Sequence, residues 1–385
     1  MKINPLFILV LLFSFTGCKN ENKNNASITI PIEKGSIQPM SLSDYIDSVK
    51  YIPLETQNEN LINHLTKVFF VDDKIVIVDG EEMQVLFFDR DGRYLYKINE
   101  RGEGPEEYVV LHTVMVDNEK NVIVYDSMGH KLLYYTIEGK FLKAVTGISN
   151  NALIKNIINL PNGNFLCYTH DQTPEKVGEQ ASGLWEIDSN GAFVRSYFTY
   201  ETLYPVIYNY DNSNLQTNSD GAISILDIVN QKILHLCDGN LTEYLSFHID
   251  NDKRKEYEGL TYTENDDYNM CYSYQEKGNL IFTEWMDPEE KFYTSYSKQD
   301  GKSILISNKT FWDGKGKIPF GRKLFIDTNL IDMLLTAFSG SDILDMLETG
   351  HLQQQCREQI EKIVAGKSET EIMDMNPVLL LLYLK

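Results

Sequence analysis

The stretch that decides the fold is Thr66–Tyr108, TKVFFVDDKIVIVDGEEMQVLFFDRDGRYLYKINERGEGPEEY. It holds four short apolar runs: Val68–Val71, Lys74–Val78, Val85–Asp89 and Tyr94–Ile98. Asp72-Asp73, Asp79-Gly80 and Asp91-Gly92 separate them. Asp and Gly accept positive φ cheaply, so Asp-Gly between β-rich runs marks a hairpin turn. The stretch therefore reads as a four-stranded antiparallel meander.

The meander recurs in both directions along the chain. A second copy spans Thr113–Val145 and turns at Glu138-Gly139. A third begins at Ile157, passes a polar loop and ends at Phe198, with Asn190-Gly191 in its last turn. The fourth covers about 215–249 and the fifth about 270–307, turning last at Asp238-Gly239 and Asp300-Gly301. The last-turn glycines thus recur every ~50 residues, the mark of a β-propeller with four strands per blade. An insertion, Asp250–Asn269, lengthens the final interval.

Beyond Phe320 the spacing changes. Asn329–Phe338 and Ile343–Val364 read as helical, and Val378–Leu384 as a dense apolar strand. The expectation is an all-β, six-bladed β-propeller of four-stranded antiparallel blades, with a helical insertion at about 329–365 in the last blade. Tyr51-Ile52-Pro53-Leu54 reads as an edge strand, because Pro cannot donate to a central ladder. Pairing of this strand with the C-terminal one would close the ring and remove exposed edges.

Composition narrows the function. The 385 residues carry a net charge of −21, which repels phosphate backbones and argues against nucleic acid as a partner. Residues 1–17 form a signal-peptide pattern: Lys2, an apolar run over Leu6–Phe15, then Phe15-Thr16-Gly17-Cys18. Small residues before Cys18 resemble a bacterial lipobox, so acylation of Cys18 and a polar tether over 18–40 are expected, with the propeller filling 41–385. Such a chain is anchored to a membrane through lipid rather than spanning it. The location expected is the outer membrane, on its periplasmic face or at the cell surface. Cys167, Cys237, Cys271 and Cys356 could be isolated buried thiols or could pair in three ways.

No local motif supplies a catalytic centre. The seven His are scattered, and HExxH, GxSxG and CxxC are all absent. Gly102-Glu103-Gly104-Pro105 lacks the Lys-Ser/Thr of a phosphate loop and reads as the passage from blade one to blade two. Glu103, Glu106 and Glu107 sit too close together to face each other across a glycosidic bond. The Asp-rich turns follow no calcium-loop order, so one structural Ca²⁺ is the most they suggest, and no other cofactor is expected.

Aromatic residues offer the strongest hint of a ligand. Tyr200, Tyr204, Tyr208 and Tyr210 crowd the connection between blades three and four, and Trp285 lies beyond the next one. Together with Arg101 and Tyr108 they are the candidate contacts for a sugar or an extended peptide.

Three stretches carry a family resemblance: Tyr51–Thr56 as an entry strand, Val85–Tyr108 with its RGEGPEEY loop, and Asn376–Lys385 as a closing strand. They resemble the six-bladed β-propeller lipoproteins of Bacteroidetes, which are related in form to NHL-repeat propellers. The resemblance implies architecture and an envelope location more than chemistry. The leading functional expectation is a lipid-anchored, non-catalytic propeller that binds a glycan, peptide or envelope protein. The alternatives are a polysaccharide- or peptide-acting lyase or hydrolase with a site built from several blades, and an assembly scaffold in an outer-membrane complex.

Overall fold

The structure is a computed structural model describing residues 28–32, 45–148, 154–169, 183–200, 214–218, 221–249, 270–286, 291–307, 326–349, 352 and 354–385. Two N-terminal strands, β1 (Ile28–Ile32) and β2 (Ile46–Pro53), precede the first blade. Blade one is β3 (Leu65–Val71), β4 (Lys74–Asp79), β5 (Gln84–Asp89) and β6 (Tyr94–Ile98). Blade two is β7 (Leu111–Val116), β8 (Val122–Asp126), β9 (Lys131–Tyr135) and β10 (Phe141–Thr146). Blade three is β11 (Asn156–Asn159), β12 (Phe165–Thr169), β13 (Gly183–Ile187) and β14 (Phe193–Phe198).

Blade four is β15 (Leu215–Thr217), β16 (Ile223–Asp227), β17 (Lys232–Cys237) and β18 (Asn240–Ile249). Blade five is β19 (Met270–Lys277), β20 (Leu280–Met286), β21 (Lys291–Ser297) and β22 (Lys302–Ser307). The sixth blade is β24 (Met333–Phe338), β25 (Val378–Leu384) and the returning β2, while the short β23 (Asp327–Thr328) pairs in parallel with β3 at the edge of blade one. The expected six-bladed propeller is therefore the observed fold.

The strands read as unbroken apolar runs because both faces of a blade are covered. In β4, Ile75 and Ile77 pack towards blade six while Val76 and Val78 pack towards blade two. Period-2 alternation survives as a choice of neighbour, not as a choice between core and water. Among the described residues there are six such clusters, one between each adjacent pair of blades, and the sixth joins Val68 and Phe88 of blade one to Leu335 and Leu379 of blade six. The ring is closed by β2 pairing antiparallel with β25, from Ile46↔Leu384 to Pro53↔Val378. This is the predicted closure, with Pro53 at the end of an outer strand.

A recurring contact spaces the blades. In blades two to four the third-turn glycine, held at positive φ, packs on the end of the blade before it. Gly139 lies on Tyr96, Gly191 on Ile148 and Gly239 on Arg195. Gly92 stands in the same relation to Ile52 and Pro53, which identifies β2 as the fourth strand of blade six.

Three expectations need correction. Met333–Phe338 is a strand, not part of a helical insertion. Its consecutive apolar residues are buried on both faces, and such a run has no periodicity that separates a strand from a helix. The helices are α1 (Gly340–Thr349), α2 (Gln354–Ile363) and α3 (Glu369–Met373), so the insertion starts later and ends later than expected. Finally, β1 falls within the span assigned to the tether. It pairs in parallel with β18, and Ile30 is fully buried between blades four and five. Cys167, Cys271 and Cys356 are free buried thiols, and Cys237 is half-buried beside the exposed Asp238 turn.

Candidate functional site

The loop between blades one and two does structural work. Gly102 N–H donates to the Tyr108 carbonyl at 3.0 Å and Tyr108 N–H to the Glu100 carbonyl at 2.9 Å. The Glu107 carboxylate folds back to accept from Gly104 N–H at 2.9 Å, and a Cβ on Gly102 or Gly104 would run into that carboxylate. Lys131 Nζ and Tyr135 Oη donate to the carbonyls of Gly104 and Glu106, fastening the loop to blade two. This is the expected passage between blades.

Aspartates at the ends of second strands tie interblade connections down. Asp79, fully buried, accepts from the backbone N–H groups of Asn63 and His64 at 3.0 Å each. Asp126, also fully buried, accepts from Val109 and Val110 at 3.0 and 3.1 Å. The exposed turn aspartates have other partners: Asp89 caps its own turn through Asp91 and Arg93, and Asp72 pairs with Lys120. Among the described residues, no three His, Cys, Asp or Glu are grouped to hold a metal ion.

The aromatic candidates are scattered. Tyr108 is fully buried, and its hydroxyl donates to the Met83 carbonyl at 2.6 Å. Tyr200 is buried and donates to Asp227 Oδ1 at 2.7 Å, with the Tyr168 hydroxyl 2.9 Å away. Burial, then the neighbouring Tyr168 and Asp227, pushes the Tyr200 hydroxyl far above its ordinary pKa. Trp285 is fully buried, with Nε1 donating to Thr283 at 2.7 Å. These three rings are part of the packing and present no face to solvent. Arg101 is exposed on the blade-one loop, while Tyr204, Tyr208 and Tyr210 lie outside the described residues.

What the ring does bring together is an axial cavity of about 530 Å³. Its wall is made from the first strands of blades one to four and the segment 327–331 that enters blade six. Each first strand delivers its C-terminal end there, so Val71, Val116, Ile158 and Leu215 meet although they are far apart in the chain. A groove of about 480 Å³ continues outward between blades two and three and shares Asp117, Asn118, Asn159 and Pro161 with the cavity. No local motif in the sequence marks these residues, which meet only once the blades are in register.

The charges of the cavity are mostly internal pairs. Lys67 Nζ lies 3.1 Å from Asp327, and Lys120 Nζ lies 2.7 Å from Asp72. Asp117 has neutral donors instead: the N–H groups of Glu119 and Asn121 at 2.9 and 2.8 Å, and Asn121 Nδ2 at 2.9 Å. In blade five, Lys277 is buried and donates to the Leu330 carbonyl, steadying the cavity wall from behind. Burial lowers its ammonium pKa to about 8, against the opposing pull of Asp327 and Asp332.

Known structures reproduce the architecture. A Bacteroides fragilis protein assigned as exported superposes with a TM-score of 0.75 at 16% identity, over 93% of this chain and 99% of that one. A DUF4221 family member from Bacteroides vulgatus gives a TM-score of 0.49 at 9% identity, covering 91% and 99%. Virginiamycin B lyase from Staphylococcus aureus gives 0.42 at 13%, covering 75% and 82%. Similarity at these identities extends to the fold alone. No curated protein matches the chain. The model of a domain family of unknown function, DUF4934, matches residues 27–383, nearly the whole propeller, and the chain belongs to that family.

Proposed function

We propose that this chain is a lipid-anchored, non-catalytic propeller of the cell envelope that binds a glycan, peptide or protein partner on the face where the axial cavity opens. The observation that carries the reading is the continuity of that cavity with the groove between blades two and three. The two volumes lie within the range of ligand sites, and the polar lining includes amides and charged groups, which are suited to holding a ligand. Anchoring rests on the Cys18 lipobox, and the Bacteroides fragilis protein of the same fold is assigned to export. No helix among the described residues is long and apolar enough to cross a membrane.

Two measurements test the proposal. Cys18→Ala should move the protein from the membrane fraction into the soluble periplasm, and full retention on the membrane refutes the anchor. Thermal melting of the Cys18→Ala chain against panels of oligosaccharides and peptides should give an upward shift with at least one class, since a ligand of the folded form must stabilise it. The shift should vanish in Asn159→Trp, which fills the junction of cavity and groove. A shift that survives that substitution places the site elsewhere.

A further inference from the structure

We propose, resting on the axial face as the binding site, that its ligand is an extended peptide with an apolar side chain beside a Lys or Arg. The apolar side chain enters the axial cavity, and the cation meets Asp117 and Glu119 at the junction with the groove.

Three observations select this chemistry. The cavity wall is mixed: it includes the partly exposed Ile331 and the half-buried Val116 and Ile158 beside its polar residues, which leaves apolar surface for a small apolar anchor. At its junction with the groove, Asn118 and Asn159 have carboxamides without a hydrogen-bond partner among the described residues, and both line the two spaces. A carboxamide donates and accepts together, which matches the N–H and C=O of a peptide unit in an extended strand.

Charge is the third observation. The acids deeper in the cavity are neutralised, Asp327 by Lys67 and Asp72 by Lys120. Among the described residues Asp117 and Glu119 accept from neutral groups, Glu119 from Asn121 Nδ2 at 3.4 Å. Against the single Lys143 ammonium in the groove wall, the two negative charges of Asp117 and Glu119 leave the groove net acidic, which complements a cation, and the net charge of −21 draws cationic ligands from a distance.

A sugar fits less well. Carbohydrate sites present open aromatic faces, yet the groove's ring, Tyr134, is buried and has the Lys143 ammonium 4.4 Å above its centre. Neutral sugars carry no cation for Asp117 and Glu119.

The test is fluorescence anisotropy on the Cys18→Ala chain with labelled heptapeptides centred on Leu or Ala and flanked by Lys, Gln or Glu. A panel of neutral and acidic oligosaccharides is run beside them. The Leu-centred, Lys-flanked peptides should bind tightest, with Leu→Ala in the peptide costing about tenfold. Glu119→Gln should narrow the preference for Lys over Gln flanks severalfold, and about 0.5 M salt should do the same. Equal or tighter binding of Glu-flanked peptides overturns the proposal, as does the absence of peptide binding up to about 1 mM.

Asn159→Trp and Thr217→Tyr, two blocking variants on different blades, separate this inference from the site itself. Oligosaccharide binding that both variants abolish keeps the axial site and overturns the peptide. Peptide binding that neither variant weakens overturns the site as well.

Discussion

Gly92, in the last turn of blade one, sits directly against the carbonyl oxygen of Pro53, the last residue of the strand that closes the ring. A Cβ on Gly92 would collide with that oxygen, and Glu55 N–H donates to the Gly92 carbonyl at 2.8 Å. The joint between blade one and the outer strand of blade six is thus a backbone-to-backbone contact with no room for a side chain.

Gly92→Ala should therefore destabilise the fold by more than backbone strain alone. Gly163 has the same φ, +84°, but open space where its Cβ would go. Gly163→Ala measures the conformational penalty, ~1 kcal/mol, and Gly92→Ala should exceed it by at least ~2 kcal/mol in denaturant unfolding. Equal losses would mean that the joint relaxes freely.

Asn376 provides a second tie across the closure. Its buried side chain accepts from Ile62 N–H at 2.9 Å and donates to the carbonyls of Glu55 and Asn60 at 2.8 and 3.0 Å. Asn376→Ala strands buried backbone groups and should cost ~2–4 kcal/mol. Asn376→Asp should also be destabilising, since a carboxylate cannot donate to two carbonyls. Loss below ~1 kcal/mol for both would assign the closure to strand pairing alone.

Lys277 makes stability depend on pH. Its ammonium pKa is about 8 in the folded chain against an ordinary 10.5, with burial the cause. Below pH 8 both states hold the proton. Between the two values the unfolded chain keeps it and the folded chain has lost it, so stability rises with pH, by up to ~3 kcal/mol. Above pH 10 buried tyrosines reverse the trend, because burial raises Tyr96 and Tyr134 to about 12 and the unfolded chain ionises first. Urea midpoints should climb from about pH 7.5 to about 9.5 and then fall, and Lys277→Met should flatten the climb. An unchanged slope in that variant would refute the assignment.

Cys167 and Cys271 are fully buried, and burial pushes both thiols well above their ordinary pKa. Neither should react with iodoacetamide at about pH 8 in the native chain, and both should react once it is unfolded. Labelling of Cys271 before unfolding would reveal opening between blades four and five, where Ile30 of the N-terminal strand packs beside it.

Much of the fold was legible residue by residue. Asp91-Gly92, Glu138-Gly139, Asn190-Gly191 and Asp238-Gly239 mark true hairpin turns, and each glycine has positive φ. What misled was local ambiguity. Met333–Phe338 has the apolar density of either a helix or a doubly buried strand, and Ile28–Ile32 has no partner that sequence order suggests. The candidate site was less legible. Tyr108, Tyr200 and Trp285 have the composition of ligand contacts, yet their rings fill spaces between blades and their polar atoms are satisfied inside.

By itself, the sequence determined the repeat, the hairpins, the number of blades and the pairing that closes them. All of these follow from turn chemistry and from apolar runs read over a few residues. Only the tertiary structure decided that Val71, Asp117, Asn159 and Thr217 share one cavity and that β1 belongs to blade four. The physical reason is range. A turn is specified by the φ preferences of two or three neighbours, whereas a cavity on the ring axis depends on the angles between whole blades, which the packed clusters between them set together.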